Sequence, residues 1–192
     1  FDNIPLFSWI ILKGKCRNCS KKISITYPLI ELSTAILWTI AYFSSPNNFT
    51  LGNNLFIAIG GGIFFSYLFI LSLLDIKYFW LPQSLCFQGM IFGLVFSFIS
   101  SILLKNPINE KVFLDNLLTA ISALIVIEIF CLSLKKIFGK ELLGRGDVKL
   151  IALGGAWLGI QGLLVATCLS FWIASLYGII GRLSNKLKLF QY

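Results

Sequence analysis

An all-α, polytopic membrane bundle of about six transmembrane helices is the fold class this sequence predicts, and three observations predict it. Of 192 residues, 57% are hydrophobic and only 12% charged, about half the share of charge in a typical soluble domain. The apolar residues gather into runs close to the roughly 20 residues needed to cross about 30 Å of hydrocarbon. The cations fall almost wholly on one side of those runs, and cationic loops stay in the cytoplasm.

Residues 1 to 26, with KGKCRNCSKK at their centre, read as a cytoplasmic Cys-containing loop, and residues 27 to 192 as the transmembrane domain. Runs 27 to 45, 55 to 74, 85 to 104 and 113 to 134 each predict one span, the fourth interrupted by Asp115 and Glu128. Residues 148 to 181 are too long for one span and predict two, broken near Gly159-Ile160-Gln161-Gly162, with the fifth span short. Pro82 suits the start of the third helix, and PNNFTLGNN, residues 46 to 54, reads as a turn-rich outer loop. With residues 1 to 26 inside, only Lys105 and Lys111 of the 16 Lys and Arg fall outside. The net charge of +8 then anchors the chain on an anionic lipid bilayer and is not a nucleic-acid footprint. The chain opens on FDNIPLFSW, without an initiator Met or a signal-peptide pattern, so the expectation is that an N-terminal part is missing.

There is no histidine, which removes Ser-His-Asp triads, Cys-His dyads, HExxH helices and His-ligated haem. Acid-base chemistry is left to eight carboxylates, and two of them border spans at the same predicted membrane face. Asp75 follows the run 55 to 74, and Asp147 precedes the run beginning at Val148, within Gly144-Arg145-Gly146-Asp147. The two glycines allow close backbone approach or a positive φ. Two carboxylates brought together at a partly dehydrated site divide the work: one keeps a proton and the other acts as base on a water. No metal or cofactor is needed for that. A carrier or channel using the same boundary aspartates for cations or protons is the competing reading, although it lacks the midplane acidic pair or broken-helix repeat typical of transporters.

At these residues the sequence resembles the prepilin peptidases, the GxGD-type membrane aspartic proteases. The matches are Asn3-Ile4-Pro5-Leu6 through Ser8-Trp9, Lys15-Cys16-x-x-Cys19, Tyr27-Pro28-Leu29-Ile30-Glu31-Leu32, Asp75 with Leu81-Pro82, and Gly144-Arg145-Gly146-Asp147-Val148-Lys149-Leu150 running into Gly154-Gly155-Ala156-Trp157-Leu158-Gly159. They run in the family's order over nearly the whole chain. The resemblance implies cleavage of a basic leader from type IV prepilins or type II secretion pseudopilins at the cytoplasmic face of a bacterial inner membrane. It makes Asp75 and Asp147 the catalytic pair, with Gly144, Gly146, Lys149 and Pro82 as supporting motif residues. Bifunctional members also N-methylate the new terminus with S-adenosylmethionine, and the resemblance gives Glu31 a part in that step. Gln83 departs from the family, which often has Asp or Asn after Leu-Pro.

Cys16 and Cys19 form C-x-x-C in a cationic loop, a pattern for metal or redox use on the reducing side of a membrane. Structural zinc takes four ligands, so the pair is half of a zinc site. Bifunctional members of the family the sequence resembles carry a second C-x-x-C upstream; either that pair belongs to the missing part, which is the favoured expectation, or this member has no complete site. Cys86, Cys131 and Cys168 lie within spans and read as small core residues. Glu31 also fits a helix N-terminal region, where the dipole favours an acid. Glu128 is expected to face the bundle and meet a hydroxyl such as Ser122 or Ser133, or to stay protonated, because a lone carboxylate in a span is costly. Gly60-Gly61-Gly62 and Gly154-Gly155 read as close helix contacts, Lys77 and Lys149 as markers of the cationic face, and Trp9, Trp38, Trp80 and Trp157 as interface or packing aromatics.

Overall fold

The computed structural model describes residues 6–45, 51–103, 107–139 and 144–183. Asn3, Ile4 and Pro5 of the N-terminal motif, most of the predicted outer loop and Lys105 lie outside them. Among the described residues there are six helices: α1 (Phe7–Ile11), α2 (Thr26–Phe43), α3 (Leu51–Tyr78), α4 (Gln83–Leu103), α5 (Pro107–Phe138) and α6 (Arg145–Leu183). The helices coincide with the apolar runs because a backbone amide in lipid can satisfy itself only within a helix. Two compact units are present, Phe1–Trp80 and Leu81–Tyr192, so the Cys-bearing loop belongs with α2 and α3.

Helices α3 to α6 are long and apolar enough to cross a membrane, and less than a third of each candidate span is buried. Residues such as Phe171, Trp172 and Ile173 are more than half exposed. Apolar surface on this scale marks a membrane protein. The shorter α2 carries Ser33, Thr34 and Thr39, whose hydroxyls donate to the carbonyls of Leu29, Ile30 and Ala35 one turn back. Those hydroxyls are thereby satisfied within the helix.

In the first unit, Trp38 stitches α2 to α3. Its indole lies over Gly62, where an added Cβ would come within 2.6 Å of the ring, and its Nε1–H donates to Ser66 Oγ at 3.0 Å. Gly61 lies against Ala41 in the same seam. The second unit has its core on one face of the first part of α6, where Val148, Ala152, Leu153 and Ala156 are buried with Cys86, Ala120 and Ala123. Small residues there let backbones meet: a Cβ on Gly155 would lie 3.2 Å from the Thr119 backbone carbon.

The break predicted near residue 159 is a reversal. Gly159 has φ 64° and ψ −175° inside α6, a conformation essentially confined to glycine. A Cβ on Gly154 would touch Leu163 at 3.2 Å, whereas nine residues of straight helix are roughly 13.5 Å long. Residues 145–158 and 160–183 are therefore two limbs folded against each other. The first, at roughly 21 Å, is shorter than the hydrocarbon and the second, at roughly 36 Å, is longer.

Candidate active site

The first limb of α6 starts at Asp147's own motif. Gly144 stands at the N-cap and Asp147 three residues on, where its Oδ2 accepts the Gly144 N–H at 3.2 Å. The Asp147 N–H returns to the Gly144 carbonyl at 3.1 Å. This is the acid half of a capping box, and it holds the carboxylate at the positive end of the limb. Of the two uses open to the glycines, the structure takes close approach: neither has a positive φ, and a Cβ on Gly146 would sit 2.8 Å from Leu81 Cβ. The Leu81-Pro82 segment thus lies directly against the Asp147 loop. Pro82 immediately precedes α4, and its carbonyl accepts the Leu85 and Cys86 N–H groups.

Lys149 donates from Nζ to Gln83 Oε1 and lies 5.0 Å from the Phe87 ring centroid. Its ammonium is therefore held on the start of α4. Gln83, the departure from the family pattern, supplies a neutral acceptor for it. Trp157 fixes the other end of the limb: its Nε1–H donates to the Gly89 carbonyl at 2.9 Å, its ring stacks on Phe96, and it covers Gly93.

Asp75 lies on the first unit. Helix α3 does not stop at residue 74; it runs on to Tyr78, so Asp75 occupies its last turn. There its carbonyl accepts the Phe79 N–H at 2.8 Å, with Phe79 at φ 51° closing the helix. A groove between α2 and α3, of about 500 Å³, is lined by Leu29, Ile30, Leu73, Ile76 and Lys77 among others. Asp75 stands two residues from both Leu73 and Lys77, roughly 200° around the helix, on the face turned away from that groove, and it is exposed. Lys77 lies over the Tyr78 ring at 5.1 Å.

Glu31 is beyond the first turn of α2, and its Oε2 accepts the Leu6 N–H at 2.8 Å. Leu6 caps α1 with φ 61° and no side-chain cap of its own, so Glu31 ties the N-terminal segment to α2. The C-x-x-C loop is closed by the Lys15–Lys22 bridge, by Cys16 N–H to the Lys21 carbonyl and by Ser20 N–H to the Cys16 carbonyl. Trp9 braces it through Ile23. Among the described residues no group of three or more His, Cys, Asp or Glu could hold a metal, and Cys16 and Cys19 are both thiols, in no disulfide. Glu128 differs from expectation: it is exposed, and Ser122 and Ser133 donate instead to the Thr119 and Ile129 carbonyls of their own helix.

Two family models match the chain: the type IV leader peptidase family over residues 62–179 and the bacterial peptidase A24 N-terminal domain over residues 1–45. The chain belongs to the type IV leader peptidase family. The prepilin leader peptidase/N-methyltransferase of Neisseria gonorrhoeae is 33% identical over 96% of this chain and 59% of its own length. That of Aeromonas salmonicida strain A449 is 34% identical over 93% and 56%. The type 4 prepilin-like proteins leader peptide-processing enzyme of Escherichia coli O78:H11 is 35% identical over 87% and 58%. The chain thus spans a little over half the length of these curated relatives. No solved structure matches it.

Leu81, Phe87, Asp115 and Asn116 were not singled out from the sequence as site residues. Asp115 alone carried a signal, an acid inside an apolar run; the others are ordinary residues whose part depends on what packs against them.

Proposed function

We propose that this leader peptidase family member is a membrane aspartic endopeptidase that removes the basic leader of type IV prepilins or type II secretion pseudopilins. In this reading Asp75 and Asp147 act as a pair in a bacterial cytoplasmic membrane, at its cytoplasmic face. The observation that carries the reading is the start of α6. An acid of the GxGD motif is held by the Gly144 N–H at a helix N-terminus, with Gly146 packed on Leu81 and Lys149 bound to Gln83.

In this reading one of the two carboxylates takes a proton from the attacking water and the other, protonated, serves as the acid. Water oxygen bonds to the scissile carbonyl carbon, the C–N bond breaks, and the departing amine receives a proton. The names of relatives pair the peptidase with an N-methyltransferase, and the resemblance gives S-adenosylmethionine as the donor for methylation of that amine. The resemblance gives Glu31 a part in it, and Glu31's bond to Leu6 supports an anchoring role in the same region. The Cys16–Cys19 pair would contribute two thiolates to a structural zinc.

The test is leader removal in membranes with a prepilin precursor. Asp75→Asn and Asp147→Asn should each abolish cleavage while inserting normally. Full activity in either, or ion flux without cleavage, would defeat the proposal and favour the carrier.

A further inference from the structure

Asp115 is an acid within the apolar stretch of α5 that the proposed chemistry does not use, and a carboxylate in such a place is costly unless it is partnered. It is half-buried. Its Oδ2 accepts the Ile160 N–H at 3.3 Å, and Ile160 opens the second limb of α6, where the first N–H groups have no partner within the helix. The same oxygen faces the positive end of that limb.

The surroundings are built for this contact. A side chain on Gly159 would collide with the Asp115 carboxylate and stand 2.8 Å from Asn116 Oδ1. Asn116, buried, donates from Nδ2 to the buried Ser97 Oγ of α4 at 3.1 Å. One polar node therefore joins α4, α5 and the reversal of α6. From Gly159 back to Asp147 is about 18 Å of helix, and the contacts of Gly155 and Trp157 make that limb a rigid connection.

We propose that Asp115 is a positioning residue for leader cleavage: by closing the reversal at Gly159 it fixes how far the first limb extends, and with it the placement of Asp147. The inference rests on the catalytic reading of Asp147.

The experiment measures kcat and KM for a prepilin-type precursor with the full chain in membranes, comparing wild type, Asp147→Asn, Asp115→Asn and Asp115→Leu. A wild type that does not cleave, or an active Asp147→Asn, overturns the catalytic reading and this inference with it. Where cleavage depends on Asp147, Asp115→Leu should lower kcat by about tenfold to a hundredfold, the scale of a misplacement near 1 Å, with KM unchanged. Asp115→Asn keeps an oxygen that accepts the Ile160 N–H and should retain most of kcat. Should Asp115→Leu not be recovered folded, Asp115→Ser, compact but too short to reach Ile160, takes its place with the same expectation. Wild-type kcat in the Leu or Ser variant, or an equal loss in the Asn variant, overturns the positioning role.

Discussion

Gly146 shows how a residue without chemistry of its own can decide the site. The obstacle to a side chain there is Leu81 Cβ at 2.8 Å, an atom that no rotamer change can move. Gly146→Ala should force the α6 start away from Leu81 at a cost of about 1 to 3 kcal/mol and slow leader removal by at least about tenfold. At Gly144 the added Cβ would meet, among the described residues, only the Asp147 carboxyl, at 3.3 Å from Oδ2, so Gly144→Ala should be milder. Cleavage rates of the two variants beside their unfolding in detergent give the comparison, and equal losses would contradict it. Glu31 invites a similar separation of roles. Glu31→Gln keeps an acceptor for the Leu6 N–H, whereas Glu31→Ala leaves that exposed donor to water, at a cost of about 0.5 to 1.5 kcal/mol. Proteolysis near residues 6 to 14 should therefore speed up in the Ala variant and not in the Gln variant. Loss of methyl transfer in both, with the segment equally protected, would make the carboxylate chemical and not an anchor.

The helices themselves were legible because lipid leaves the backbone few choices, and α2 to α6 match the apolar runs to within a few residues at most ends. Asp75 does follow the apolar run, whose end Asp, Lys and Tyr mark, but the hydrogen-bond ladder continues through them to Tyr78. The break at Gly159 could be read from length and glycine, while its sense, a reversal capped by Asp115, depends on a contact 45 residues distant. Glu128 was misread because the rule that a span acid seeks a partner also applies to Asp115, and nothing in the pattern says which of the two the fold satisfies. Trp157 on Gly93 is another contact of this long-range kind. A Cβ at Gly93 would be 2.5 Å from the indole, so Gly93→Ala should displace Trp157 from Gly89 and Phe96. The expected cost is about 1 to 3 kcal/mol, read as a lower unfolding temperature in detergent. An unchanged temperature would mean that the ring has another seat.

Over the whole molecule, sequence kinship and compactness divide the chain differently. The peptidase family segment, residues 62–179, takes in most of α3, yet α3 is compact with α1 and α2 in the unit ending at Trp80. Asp75 is thus carried by the unit that also holds the Cys16–Cys19 loop and Glu31. Orientation is a property of the same scale. It rests on the cation asymmetry, in which the predicted outer side carries only Lys105 and Lys111. Cys19 is exposed in the loop before α2, and Lys111 is exposed near the start of α5; under the proposed topology they lie on opposite sides of the bilayer. With the remaining cysteines replaced, Cys19 should react with a membrane-impermeant maleimide only after cells are opened. A cysteine introduced by Lys111→Cys in a Cys19→Ser background should react in intact cells. The reverse pattern would turn the bundle over and place Asp75 and Asp147 at the face where no cytoplasmic leader is presented, which defeats the proposed reaction whatever the two carboxylates can do in isolation.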